Sequence, residues 1–173
     1  VRWTHWVAQG RETGRLGYPL APVETLANSA WIQRFQTGCV VDSQATASQV
    51  VWGVRWTRWV AQGREAGPLG FPVAPLEYLP SSSWIQRFQN GCYVDSGSTT
   101  TTEVRERTWT AWQQVGRETG VLRYPTAEQE SIAGGTRQTF QGGGIWGRSG
   151  QAAWAVTGAV LAAWEAQGGS SGA

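Results

Sequence analysis

A block stated three times constrains this chain more than any other feature. Arg11–Glu24 reads Arg-Glu-Thr-Gly-Arg-Leu-Gly-Tyr-Pro-Leu-Ala-Pro-Val-Glu. It returns as Arg64–Glu77 (Arg-Glu-Ala-Gly-Pro-Leu-Gly-Phe-Pro-Val-Ala-Pro-Leu-Glu) and, more loosely, as Arg117–Glu130 (Arg-Glu-Thr-Gly-Val-Leu-Arg-Tyr-Pro-Thr-Ala-Glu-Gln-Glu), each copy 53 residues after the last. Residues 1–43 match 54–96 at 31 of 43 positions without a gap. A fixed period of this length marks a repeat protein, whose units are too small to bury their own apolar faces and complete a core by stacking. The copies span about 1–49, 50–101 and 102–149, with a fourth begun over 150–173, and are expected to form one repeat domain.

Each copy divides into three parts. The first is a helix. In the third copy Val104, Thr108, Ala111, Trp112 and Val115 follow helical spacing, and Thr100 with Glu103 forms a capping box. Gly10, Gly63, Gly116 and Gly168 end the helices, because glycine takes the left-handed conformation past a last turn at little cost. Trp6, Trp59, Trp112 and Trp164 stand four residues before these glycines; Trp3, Trp56 and Trp109 stand three residues earlier, with Leu161 in the last helix. A position that takes Leu for Trp reads as core. The second part is a loop punctuated by Gly17 and Pro19, or Gly70 and Pro72, and stiffened by Pro22 and Pro75. Arg123 replaces that glycine in the third copy, so a loop needing positive φ there would have to change shape.

The third part reads as a β-hairpin. Trp84–Gln89 runs into Asn90-Gly91 and then Cys92–Asp95, a pattern that predicts a type I′ turn with Phe88 opposite Tyr93 and Arg87 opposite Val94. The first copy offers Phe35, Thr37-Gly38 and Val40, the third Phe140, Gly142–Gly144 and Ile145-Trp146. Polar stretches over Ser43–Gln49, Gly97–Thr102 and Gly147–Gln151 read as surface linkers. The fold class is therefore α+β: tandem repeats of helix, Gly/Pro loop and hairpin, three full copies plus a fourth helix.

Composition narrows the function. At 173 residues with a net charge of +2, the chain can bury a core but carries no basic field for nucleic acid. All 14 cationic residues are arginine, as GC-rich coding favours. No apolar run of about twenty residues exists to span a membrane, and no signal peptide is visible. Val1 begins inside a helical pattern and Ala173 stops inside a repeat, as expected of an excised piece.

Leu16–Pro19 (Leu-Gly-Tyr-Pro) and Leu69–Pro72 (Leu-Gly-Phe-Pro) make the chain resemble an array of LGFP repeats. Phe140, Gly144, Ile145 and Trp146 are similar to the family's Phe…Gly-x-Ile-aromatic stretch. Val156, Gly158, Val160 and Trp164 resemble its Ala-x-x-Val-x-Gly-x-Val-x-x-x-Trp helix; Arg123 departs from the signature, and the cysteines at 39 and 92 follow no family rule. The resemblance implies a non-catalytic, extracellular module of the cell envelope. Such modules are appended to secreted actinobacterial enzymes, mycoloyltransferases and amidases among them, and would hold the attached domain on arabinogalactan or peptidoglycan. No cofactor is implied.

The residues themselves offer little catalysis. His5 is the only histidine, and Arg58 replaces it in the second copy, so neither a triad nor a histidine metal site can be assembled; an exposed helical histidine is the plain reading. Carboxylates recur at Glu12/Glu65/Glu118, Glu24/Glu77/Glu130 and Asp42/Asp95, but matched copies lack the asymmetry of an acid–base pair, and Arg–Glu contacts suit them better. Cys39 and Cys92 occupy equivalent places. They either bridge two repeats, where an axis brings them close, or stay free thiols.

The twelve tryptophans are the richest signal, since aromatic faces stack on sugar rings while indole N–H and phenol O–H reach hydroxyls. Core spacing claims most of the helix tryptophans. The ligand-binding candidates are Tyr18, Phe71, Tyr124, Trp31, Trp84 and Tyr93, with Arg11, Arg64, Arg117, Glu12, Glu65 and Glu118 beside them; no residue is assigned to catalysis or metal. The Tyr18 set serves equally as structural pegs into the next repeat. Two functions follow: retention on wall polysaccharide through several weak sites, or a scaffold that stabilises an attached enzyme and binds no sugar.

Overall fold

A computed structural model of the chain describes residues 2–43, 45–97 and 100–169. Val1, Gln44, residues 98–99 and residues 170–173, which belong to the first helix, two of the expected linkers and the fourth copy, lie outside the described residues. Four helices are described: α1 (Arg2–Ala8), α2 (Val54–Ala61), α3 (Glu106–Gln114) and α4 (Gly158–Ala166). Between them lie three antiparallel sheets of four strands. The first has β1 (Glu24–Thr25), β2 (Trp31–Arg34), β3 (Gly38–Ser43) and β4 (Thr46–Trp52) in sequence order. The second has β5 (Glu77–Tyr78), β6 (Trp84–Phe88), β7 (Gly91–Asp95) and β8 (Thr102–Arg105); the third has β9 (Glu130–Ile132), β10 (Gly135–Phe140), β11 (Gly143–Arg148) and β12 (Ala153–Thr157). The class is α+β with repeats, but a four-stranded meander stands where a hairpin was expected.

The chain forms two compact units, residues 1–78 with 85–89, and 79–84 with 90–173. In the first, Leu16, Phe35 and Val40 form a core cluster against which Trp6, Trp31, Val50 and Trp52 pack. In the second, α3 packs against β7 and β8 and also against β11 and β12, burying Thr108, Ala111 and Trp112. One helix thus serves two sheets there. That sharing is how a unit too small to cover its own sheet excludes water.

Two of the expected linkers hide the outer ladder strands. Thr46–Trp52 contains Ser48 and Gln49, polar yet buried, so composition masked a period-2 segment. Thr102–Arg105 pairs with β7, setting Glu103 opposite Tyr93, and the backbone N–H of Glu103 donates to Glu128 Oε2 at 3.1 Å. The Thr100/Glu103 capping box is therefore absent, Val104 lies in a strand, and α3 starts at Glu106. Val156 likewise lies in β12, and the switch to helix comes at Gly158.

The turn is displaced too. β6 ends at Phe88 and β7 begins at Gly91, so Gln89-Asn90 is the turn instead of Asn90-Gly91. The first copy sets Gln33 opposite Val40 and Arg34 opposite Cys39; the third sets Phe140 opposite Gly143. The glycine after the turn answers to space. A Cβ on Gly38 would strike the Val51 carbonyl, and one on Gly143 the Val156 carbonyl, in the neighbouring strand.

The signature loop is built alike in all three copies. Leu16, Leu69 and Leu122 are buried, and Pro19, Pro72 and Pro125 bridge to Phe35, Phe88 and Phe140. Trp6, Trp59 and Trp112 donate their Nε1–H to the carbonyls of Gly17, Gly70 and Arg123 at 3.0, 3.0 and 2.9 Å. Gly17 and Gly70 have φ of 70° and 71°, and Arg123 adopts 57°, so the third loop keeps its shape and carries the strain in the arginine. A left-handed non-glycine residue costs about 1–2 kcal/mol, partly offset by glycine's greater unfolded entropy. Arg123→Gly is expected to stabilise the second unit by about 1 kcal/mol, read as a higher urea midpoint at unchanged slope.

A glutamine, fully buried in the second and third copies and half-buried in the first, pins the far side of each loop. Gln86 and Gln138 donate to the carbonyls of Ala74 and Ala127 at 2.6 and 3.0 Å, and Gln33 donates to Ala21 in the same way. Gly10, Gly63, Gly116 and Gly168 follow their helices with φ between 89° and 98°, as the sequence predicts. The outer tryptophan position is core only at Trp109, 8% exposed; Trp3 is 61% exposed and Trp56 half-buried. No disulfide joins Cys39 and Cys92. Both are free thiols buried at the same ladder position of their own sheets, where desolvation raises their pKa well above the thiol range.

Candidate functional site

Two clefts of the first unit join aromatic faces to polar groups. The first surrounds Trp52 at the end of β4. The Arg15 and Arg55 guanidiniums lie over its ring, 4.9 and 4.3 Å from the centroid, within cation–π range. Arg15 Nη1 also donates to Tyr78 Oη at 3.2 Å. His5, Gln9, Gln49 and Tyr78 complete the polar wall of a cleft of about 230 Å³. His5 is half-buried there, not exposed on a bare helix face. Arg55 is itself buried, and desolvation lowers its pKa to about 10, which leaves it charged at neutral pH.

The second cleft, about 370 Å³, is lined by Glu24, Arg34, Trp56, Val60, Gly63 and Arg64. Arg64 grips Glu24 bidentately, with Nη1 to Oε2 at 3.1 Å and Nη2 to Oε1 at 2.9 Å, and also contacts Glu65. The hydrogen bond from Arg64 holds the Glu24 carboxyl below the usual carboxylate range. A depressed carboxylate pKa gives stability that is fully present above the unfolded value and lost as pH falls through the folded one. Since both side chains are partly exposed, the pair is expected to contribute about 0.3–1 kcal/mol. Glu24→Gln should remove that increment at pH 6, and the gap between the two proteins should narrow progressively as pH falls below the ordinary carboxylate range, measured as the difference in urea midpoints.

The sequence candidates occupy varied surroundings. Tyr18 is 59% exposed, with its N–H held by Gln36 Oε1 at 3.0 Å. Phe71 is half-buried; Tyr124 is half-buried too, and its hydroxyl bonds Ser83 Oγ at 2.8 Å, the peg arrangement. Trp31 packs on the first core, Trp84 is half-buried, and Tyr93 is wholly buried. Arg117 binds Glu118 through two contacts of 3.0 and 2.8 Å; Arg11 and Glu12 are exposed, with Arg11 5.8 Å from the Trp3 ring centroid. The Arg–Glu pairing expected of the repeated charges is thus present. Of all the candidates, only Arg64 lines a cleft described above.

Arg15, Trp52 and Tyr78 were not singled out by the sequence reading. A signal existed, because each departs from the repeat: Pro68 and Val121 replace Arg15, Arg105 and Thr157 replace Trp52, and Thr25 and Ser131 replace Tyr78. Among the described residues no group of three or more His, Cys, Asp or Glu side chains could hold a metal, and no helix is long and apolar enough to cross a membrane. The sequence profile of the LGFP repeat matches residues 16–67 and 122–172, which is more than half of the chain. No curated protein matches it.

Proposed function

Because the chain belongs to the LGFP repeat family, we propose that it is a non-catalytic module retaining the protein that carries it on envelope polysaccharide, arabinogalactan or peptidoglycan. The observation carrying this reading is the Trp52 cleft. Tyr78, 66% exposed and bonded through its hydroxyl to Arg15, with the amides of Gln9 and Gln49 in the same cleft, suits a sugar ring whose C–H face stacks on the phenol while its hydroxyls find partners; Trp52, with the two guanidiniums over its ring, braces that wall. A scaffold would have buried its aromatics; this chain leaves Trp3, Tyr18, Tyr78 and Trp154 exposed. Each site is shallow and weak, and several on one chain raise retention through effective concentration. Tyr18, Phe71, Tyr124, Trp31 and Trp84, with Arg11, Arg64, Arg117, Glu12, Glu65 and Glu118, remain ligand-binding candidates in this proposal, and buried Tyr93 does not.

The alternative, a scaffold stabilising an attached secreted enzyme, is favoured by the Tyr124–Ser83 bond and by the Arg117–Glu118 pair, which commit candidate residues to internal contacts. Pull-down on whole actinobacterial wall, on wall stripped of arabinogalactan and on bare peptidoglycan separates the two. Retention on at least one preparation, reduced severalfold by Tyr78→Ala, is expected. Passage of the chain through all three would leave the scaffold.

A further inference from the structure

A third cleft lies in the second unit, and the opposed tryptophan pair that lines it occurs in one repeat only among the described residues. It encloses about 360 Å³, within the range of small-ligand pockets, and is lined by Trp146, Trp154 and Trp164 together with Arg148 and Gln151. Trp146 and Trp154 are directly opposed across the β11–β12 ladder, so they share one face of the sheet. Trp164 of α4 meets Trp146 edge-on, with centroids 4.8 Å apart. Trp154 is 67% exposed.

The register shows that this cleft is no remnant of the shared repeat plan. Val41 opposite Gln49 and Val94 opposite Thr102 occupy the place of Trp146 opposite Trp154. The residue two before Trp146 has changed with it. Cys39 and Cys92 give way to Gly144, and a Cβ on Gly144 would lie 2.6 Å from Cη2 and Cζ3 of Trp146. The glycine is what lets the indole lie on the sheet.

The side-chain polar groups are rich in donors. The buried Nε1–H of Trp146 has no hydrogen-bond partner among the described residues, a state that is uncommon and calls for an acceptor. Arg148 adds donors only, Gln151 can supply both kinds, and no described residue lining the cleft is acidic. A sugar bearing only hydroxyls is both donor and acceptor, and such a wall would leave much of its donor capacity unmatched. An acetamido group carries a carbonyl oxygen for the indole N–H and a methyl for an aromatic face.

We propose that the Trp146–Trp154–Trp164 cleft is a subsite for an N-acetylated amino sugar of a glycan strand, distinct in specificity from the Trp52 cleft. The proposal deepens the polysaccharide-binding reading and rests on it for the source of the glycan. The test titrates the ¹⁵N-labelled 173-residue chain with N,N′,N″-triacetylchitotriose and, separately, with maltotriose, following the indole N–H resonances assigned by substitution.

The Trp146 and Trp154 resonances are expected to shift with the acetylated trisaccharide and to respond at least tenfold more weakly to maltotriose. Trp154→Ala, at an exposed site, should weaken binding about tenfold, and Trp146→Phe, which keeps a ring and removes the donor, severalfold. The circular dichroism of both variants reports whether they fold, and Trp154→Ala carries the test if Trp146→Phe does not. Equal response to the two sugars, or shifts confined to other tryptophans, overturns the proposal. Wall retention in the same variants separates the two readings. A chain held by wall whose Trp146 and Trp154 ignore the acetylated sugar sinks the subsite alone. A chain that passes through every wall preparation while those indoles respond sinks the anchoring reading and leaves the subsite.

Discussion

Trp59→Ala is expected to lower the stability of the first unit by about 3–5 kcal/mol, the range for truncating a buried tryptophan. The side chain is fully buried, stands 6.0 Å from the Phe88 ring and 6.0 Å from the Trp56 ring, and closes the signature loop through the Gly70 carbonyl. Truncation therefore removes three contributions together: apolar burial, ring packing and the bond that satisfies a carbonyl at a buried glycine. Trp59→Phe divides them, since it keeps a ring against Phe88 but drops the N–H, and should cost about 1–3 kcal/mol for the stranded acceptor and the smaller ring. Natural domains hold only about 5–15 kcal/mol in total, so the alanine variant should unfold at much lower urea. Equal midpoints for Trp59→Ala and the parent would contradict this account of the core.

Gly120→Ala is expected to be nearly as damaging, at about 3 kcal/mol, for a reason unrelated to backbone freedom. Gly120 has φ −82° and ψ −173°, which any residue adopts. Its added Cβ would instead run into the carbonyl oxygen of Val115, and Gly14 and Gly67 stand in the same relation to Gln9 and Gln62. Backbone cannot swing aside as a side chain can, so the loop must leave the end of the helix, and overpacking of that kind costs about 1–3 kcal/mol or more. Gly116→Ala provides the contrast. Its φ of 89° taxes conformation, so a loss of about 1–2 kcal/mol is expected. Urea unfolding of the two variants side by side checks the order; a milder Gly120→Ala would mean that the close approach relaxes freely.

The exact repetition of the Arg-Glu-x-Gly and Leu-x-aromatic-Pro blocks was enough to read the repeat, its glycine-terminated helices and the recurring tryptophan. Those features depend on local chemistry, such as a glycine past a last turn or a proline in a loop, and local chemistry is written in neighbouring residues. The outer strands were not legible. Ser48, Gln49, Thr101 and Thr102 look like linker, yet they are buried because another element covers them. The turn also went astray by one residue, because Asn-Gly has a strong local preference while Gly38 and Gly143 answer to a strand that follows later in the chain.

The candidate clefts show the same division more sharply. Matching the copies directed attention to what they share, and the shared aromatics are mostly spent on packing: Trp59 and Trp112 in cores, Tyr124 on Ser83, Tyr93 wholly buried. The clefts arise where one copy departs from the others, at Arg15, Trp52 and Tyr78 and at Trp146 and Trp154. By itself the sequence determined the period, the family and the local breaks between elements, all of which act over a few residues. Only the tertiary structure decided which tryptophans are core and which are surface. Burial is a property of what lies across the sheet, and Trp146 and Trp154 become a pair through a ladder that brings the two strands face to face.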